Sequence, residues 1–237
     1  MSRMLKNSGK VNINDNIVMG LVMPLIIYYV IHNAWVIGGL SALELAVNSG
    51  KMPAWNEEVL FYIKTFVKIS GMMIGGLSVY PYFKRQRTME MKKSLSRKEG
   101  VALIFIGMVL ALGLNYIFLL TGLPQNNEQY QQVAEVQFAL PLWLAFLFYG
   151  IISPVVEEMV FRGIACSRLE QHMSPMVAVA GSALLFGAFH GNFIQMLYAS
   201  IMGVVLALVY RKYRNLTAPV LLHGAANVVV YFITYFF

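Results

Sequence analysis

Residues 141–163 read PLWLAFLFYGIISPVVEEMVFRG. The stretch through Val156 carries no charge, and Glu157, Glu158 and Arg162 then arrive within two turns. A run this apolar belongs in hydrocarbon or a deep core, where a charged side chain costs about 2.5 to 3.5 kcal/mol on insertion scales. The acids and the arginine must therefore be paired or put to use.

The whole chain carries the same signature. Of its 237 residues 58% are hydrophobic and only 12% charged, and its mean hydropathy is +0.63; ordinary soluble domains hold about a quarter charged residues. Several apolar runs approach or exceed the ~20 residues that cross ~30 Å of hydrocarbon as a helix, and none shows the alternation of an outer-membrane barrel. The expected fold is all-α: a polytopic transmembrane bundle of about seven spans, with six or eight as neighbouring counts. No polar block is long enough to fold separately, so residues 1–237 read as one integral membrane domain. Its N-terminal helices occupy 16–121 and its motif-bearing core about 138–237.

The net charge of +7 raises nucleic acid as a partner, and the positions of the basic residues dismiss it. Arg3, Lys6 and Lys10 precede the first span; Lys84, Arg85, Arg87, Lys92, Lys93, Arg97 and Lys98 share one loop; Arg211, Lys212 and Arg214 share another. The alternate segments 46–58 and 122–137 contribute only Lys51. This is the positive-inside pattern and predicts a cytoplasmic N-terminus, with loop 84–98 near anionic lipid. The basic start followed by a long apolar segment is expected to be a retained helix rather than a signal peptide. The lone Cys166 reads as a small packed residue.

The expected spans run from near Ile17 through Leu45, as one steeply tilted helix or as a helix interrupted near Pro24 or His32-Asn33, then Val59–Phe83, Gly100–Thr121, a fourth from near Phe138, Met176–His190, Phe193–Tyr210 and Thr217–Phe237. Lys64 and Lys68, one turn apart, are accounted for by snorkelling to the outer interface. No internal repeat marks an inverted-repeat transporter.

Ionisable and strongly polar groups inside the later spans are few: Glu157, Glu158, Arg162, His190, His223 and Asn227. Adjacent glutamates diverge by about 100° on a helix, whereas positions four apart meet. Glu158 and Arg162 are thus expected to pair, leaving Glu157 free to accept a proton. His223 and Asn227, also four apart, would face a common point. At about 1.5 Å per residue, Glu157, His190 and His223 lie ~16, ~21 and ~12 Å from the expected cytoplasmic ends of their helices, which suits one buried site nearer that side. A carboxylate, two imidazoles and an amide are the parts needed to hydrolyse an amide bond with water. Glu157, His190 and His223 are equally a possible zinc set, and spacing alone leaves both chemistries open.

EEMVFR at 157–162, FGAFH at 186–190 and HGAAN at 223–227, in this order on separate spans, resemble the three motifs of the CAAX protease and bacteriocin-processing family of intramembrane proteases. The resemblance covers about half the chain. It implies Glu157 as general base, His190 holding or activating water, His223 and Asn227 as the oxyanion site, and Glu158 and Arg162 as organising residues. The expected activity is intramembrane endopeptidase, without a required cofactor; a divalent metal such as zinc is the alternative. The expected partners are the bilayer and a peptide or membrane-protein substrate, lipid-modified or not, and the compact chain is expected in a bacterial plasma membrane.

Other protease classes fit poorly. There is no HExxH, Asp15 is the sole aspartate, and Ser182 after Gly181 is a weak serine nucleophile. The rival reading is non-enzymatic: an immunity, peptide-binding or transport protein using the same buried groups, since family membership does not fix function. Phe186 is expected to be packing behind the site, and His32 and His172 structural or surface.

Overall fold

The computed structural model describes residues 16–49, 56–87 and 94–236. Among the described residues every regular element is helical: α1 (Met23–Asn48), entered through a π-turn at Val18–Val22, α2 (Glu57–Arg87), α3 (Arg97–Leu120), α4 (Glu128–Phe138), α5 (Leu142–Glu170), α6 (Pro175–Ala188), α7 (Phe193–Tyr213) and α8 (Thr217–Phe236). Six of them, all but α4 and α6, are long and apolar enough to cross a membrane. The 14 residues of α6 rise only about 21 Å. The seven expected spans are thus six long helices and one short one.

Composition decides where the apolar side chains go. Val101, Phe105 and Leu120 of α3 are each at least two-thirds exposed, as befits a surface solvated by lipid rather than water. Basic residues end α2, α5 and α7 and begin α3. At the end of α5, Glu170 bonds Arg211 and, at 2.5 Å, Arg214, tying that end to the end of α7. Arg3, Lys6, Lys10, Lys51, Lys92 and Lys93, and the reading of residues 1–15 as a retained leader, lie outside the described residues.

The structure chooses among the alternatives for the first span and moves the start of the fourth. The first helix runs unbroken through His32 and Asn33, because Asn33 turns its amide onto the Tyr29 carbonyl of its own helix (2.8 Å); the irregular turn sits before Pro24 instead. The polar segment after α3 contains α4, started by Asn127, whose side chain accepts from Tyr130 N–H (2.8 Å), and burying none of its residues. The fourth span begins at Leu142 rather than Phe138. Pro141 supplies no N–H and holds an extended conformation, so α4 ends before it and α5 starts after it.

Two glycines set the core. Gly191 has φ +77° and lets α6 turn into α7, with Asn192 capping the new helix through Gln195 N–H (2.9 Å). Gly224 of α8 lies against the Gly150 carbonyl of α5, where any Cβ would collide with the oxygen. Small residues permit such approach between helices in lipid.

Candidate active site

The site is organised by an irregularity in α5. Its helix is α-helical at Leu142–Ala145, π-helical at Phe146–Ile152, α-helical at Ser153–Glu158 and π-helical again at Met159–Cys166. In the first π segment Ser153 N–H donates to Phe148 O, five residues back. The Tyr149 carbonyl thereby loses its usual donor, and the next residue along, Pro154, has no N–H to offer. A buried carbonyl needs a partner, and Asn227 Nδ2 of α8 supplies one at 3.0 Å. The sequence break at Ser153-Pro154 thus creates the socket that fixes Asn227.

One turn later come the charges. Arg162 Nη1 donates to Glu158 Oε1 at 3.0 Å, and both side chains are 0% exposed. Arg162 Nη2 donates to Gly203 O of α7 at 3.1 Å, and its guanidinium lies 4.4 Å from the centroid of the Phe186 ring of α6. These contacts offset desolvation, which an isolated buried charge could not survive.

Glu157 points elsewhere, as its 100° offset requires. Its Oε1 accepts from Ser153 Oγ at 2.6 Å, its Oε2 lies 3.6 Å from His223 Nε2, and its side chain is 15% exposed. His223 Nδ1 meets Glu158 Oε1 at 2.9 Å. One imidazole therefore spans both glutamates, a link that helix geometry within α5 alone does not reveal. Arg162 neutralises one acid of the pair; electrical balance then needs one proton among Glu157, His223 and His190.

His190 ends α6. Its Nδ1 donates to the Phe186 carbonyl at 2.9 Å, which leaves Nε2 with a lone pair. The Phe186 ring meets the His190 and His223 rings edge to face at 4.8 and 5.6 Å, and Glu157 and His223 act electrostatically on His190. Phe186, expected to be packing behind the site, is the wedge among His190, His223 and Arg162.

The structure thus brings Glu157, Glu158, Arg162 and His223 into direct contact, joins His190 to them through Phe186, and holds Asn227 on the Tyr149 carbonyl. Sequence reasoning missed Ser153, although its spacing of four from Glu157 was a legible signal. The Tyr149 and Gly203 carbonyls had none, because every residue has one. His32 and Tyr28 stack at 5.9 Å in the α1 wall, His172 is exposed and Cys166 is buried.

The donor set suits zinc in its chemistry. His190 and His223 each commit Nδ1 to an oxygen, which orients Nε2 as a ligand-ready nitrogen, and Glu157 adds a carboxylate. Among the described residues, however, no three such groups stand in metal-binding proximity.

Fold and site together define a multi-pass helical membrane protein with a buried acid, histidine and arginine cluster. Residues 139–229 match the family model of type II CAAX prenyl endopeptidase, Rce1-like. The chain is similar to YdiL, a candidate membrane peptidase of Bacillus subtilis (strain 168), with 27% identity over 115 residues, 48% of this chain and 45% of YdiL. It is also similar to the membrane-embedded CAAX protease MroQ of Staphylococcus aureus (strain USA300), with 28% identity over 135 residues, 54% of this chain and 53% of MroQ. The matched region spans about half the length of each relative. No solved structure is significantly similar. The family likeness is thus to type II CAAX prenyl endopeptidases, and residues 139–229 carry it.

Proposed function

We propose that this protein is an intramembrane endopeptidase in which Glu157 activates water. The observation that carries the reading is the division of labour between adjacent acids. Glu158 is consumed by Arg162 and His223, whereas Glu157 keeps an oxygen directed at His223 Nε2 across 3.6 Å, a spacing wide enough to ask for an intervening polar group.

In this mechanism Glu157 takes a proton from water as the water oxygen bonds to the scissile carbonyl carbon, and His190 Nε2 helps hold that water. The oxyanion is met by the Asn227 N–H not engaged by Tyr149 and by His223 carrying a proton on Nε2, its Nδ1–H remaining on Glu158. That proton also brings Glu157, Glu158, Arg162 and His223 to zero net charge. The C–N bond then breaks as Glu157 returns its proton to the leaving nitrogen. Ser153 holds the Glu157 carboxylate, and Glu158 with Arg162 holds the His223 ring. A zinc alternative would need His190 Nε2, His223 Nε2 and Glu157 to draw closer than they stand here, and would supply a water acidified to a pKa near 7.

The substrate class this reading takes is a peptide or membrane-protein segment presented from within the bilayer, cut nearer the cytoplasmic side of a bacterial plasma membrane. The test compares membrane-proteome peptide termini in wild-type and Glu157→Gln cells. Termini should vanish with the substitution while the protein accumulates normally in membranes; an identical set of termini refutes hydrolysis and favours a binding or immunity role. Activity that disappears in metal-free protein and returns in proportion to added zinc would replace the metal-free chemistry with the metal-assisted one.

A further inference from the structure

The polar groups of the three motifs come from α5, α6 and α8. Helix α1 brings one more. Of the residues that α1 buries, Pro24, Leu25 and Tyr28, only Tyr28 carries a polar side chain, and it is 6% exposed. A buried phenol hydroxyl ordinarily finds a hydrogen-bond partner. Tyr198 donates to the Ala111 carbonyl at 3.3 Å, and Tyr210 shares a hydrogen bond with Ser167 at 2.8 Å. Among the described residues the Tyr28 hydroxyl has no such partner.

Contacts on two helices fix where that side chain stands. On α2, Gly75 lies against the Tyr28 ring, where a Cβ would come within 3.1 Å of Cδ2, and the next residue, Gly76, lies against Val156, the neighbour of Glu157. Tyr28 and the Glu157 turn of α5 therefore share one level of the bundle, a single residue (about 1.5 Å) apart along α2. On α6, the Tyr28 ring stacks on Phe189, the neighbour of His190, with centroids 6.1 Å apart and 27° between the planes. Phe189 in turn meets Phe161 of α5 edge to face at 5.1 Å. The phenol is thus held between the neighbours of Glu157 and His190, and the Glu157 carboxylate acts on it electrostatically.

We propose that Tyr28 is a catalytic acid, its hydroxyl passing the proton that Glu157 takes from water on to the leaving nitrogen of the peptide bond. This role rests on the peptidase reading and completes its last step. In that reading His223 and Asn227 meet the carbonyl oxygen from α8 and His190 meets the water from α6, so the amide nitrogen is the polar corner of the tetrahedral intermediate that a donor from α1 would serve. As the C–N bond breaks, the nitrogen takes the Tyr28 proton and the phenolate oxygen takes the proton held by Glu157. Carboxylate and phenol both end as they began. Tyrosine is among the side chains that serve as general acids.

The test uses the full chain in dodecyl maltoside and two synthetic forms of the membrane segment whose new terminus distinguishes wild-type from Glu157→Gln cells, one with the cut bond as the natural amide and one with an ester in its place. Cleavage is followed by mass spectrometry in wild type, Tyr28→Phe and Glu157→Gln. Tyr28→Phe keeps the ring and its stacking and removes only the hydroxyl. It is expected to slow amide cleavage about a hundredfold or more and ester cleavage less than about fivefold, because an alkoxide leaves without an acid and an amine does not. The ratio of the two rates does not depend on how much folded protein a preparation holds, so a loss of stability leaves it unchanged. Equal slowing of amide and ester, which would make Tyr28 a packing residue or an oxyanion donor, overturns the inference, as does a Tyr28→Phe protein that cuts both at the wild-type rate. The peptidase reading fails separately, if wild type cuts neither form or Glu157→Gln cuts both as fast as wild type; the inference alone fails if cleavage depends on Glu157 and the ratio is unmoved by Tyr28→Phe.

Discussion

Replacing Arg162 by methionine leaves the Glu158 carboxylate at 0% exposure with only the His223 ring beside it. Breaking a buried pair from one side costs about 3 to 5 kcal/mol, since the surviving charge can neither ionise cheaply nor reach water. Glu158→Gln keeps an acceptor for His223 but strands the guanidinium, and should cost a similar amount. The double variant Glu158→Gln/Arg162→Met removes both charges and is expected to recover about 2 kcal/mol or more relative to the sum of the singles. The lost Arg162 bond to the Gly203 carbonyl and the lost Phe186 contact occur in both Arg162→Met backgrounds and cancel in the cycle. The measurement is equilibrium unfolding of the purified protein by SDS titration in mixed micelles, followed by tryptophan fluorescence. A cost under about 1 kcal/mol for Arg162→Met, or strict additivity, would refute the view that this pair is a mutually dependent buried unit.

Gly224→Ala should destabilise by about 1 to 3 kcal/mol in the same titration, because its methyl group meets the Gly150 carbonyl and forces α5 and α8 apart. Phe186→Leu removes the ring that separates His190, His223 and Arg162; cleavage should fall by more than tenfold while the protein still accumulates in membranes, read by quantifying substrate termini against protein level. Ser153→Ala should lower the cleavage rate without a comparable loss of stability, since it frees the Glu157 carboxylate rather than burying a new charge. Glu170→Gln should cost at most about 1 kcal/mol, because its partners Arg211 and Arg214 are 25% and 36% exposed and water screens the pair.

Much of the molecule was readable from its residues. Low charge and long apolar runs required membrane helices, because hydrocarbon leaves a backbone no other way to satisfy its polar groups. Spacing of four required that Glu158 could reach Arg162 and Glu157 could not, because side-chain direction within one helix follows from its pitch. What lay beyond the sequence were relations between helices. The shortness of α6, the π register that strips the Tyr149 carbonyl of a donor and hands it to Asn227, and the single imidazole of His223 joining two acids that diverge on their own helix all depend on which helix packs beside which. A helix's pitch is a local property carried by each residue in turn, whereas the position of one helix against another is settled only when all their surfaces compete for contact at once.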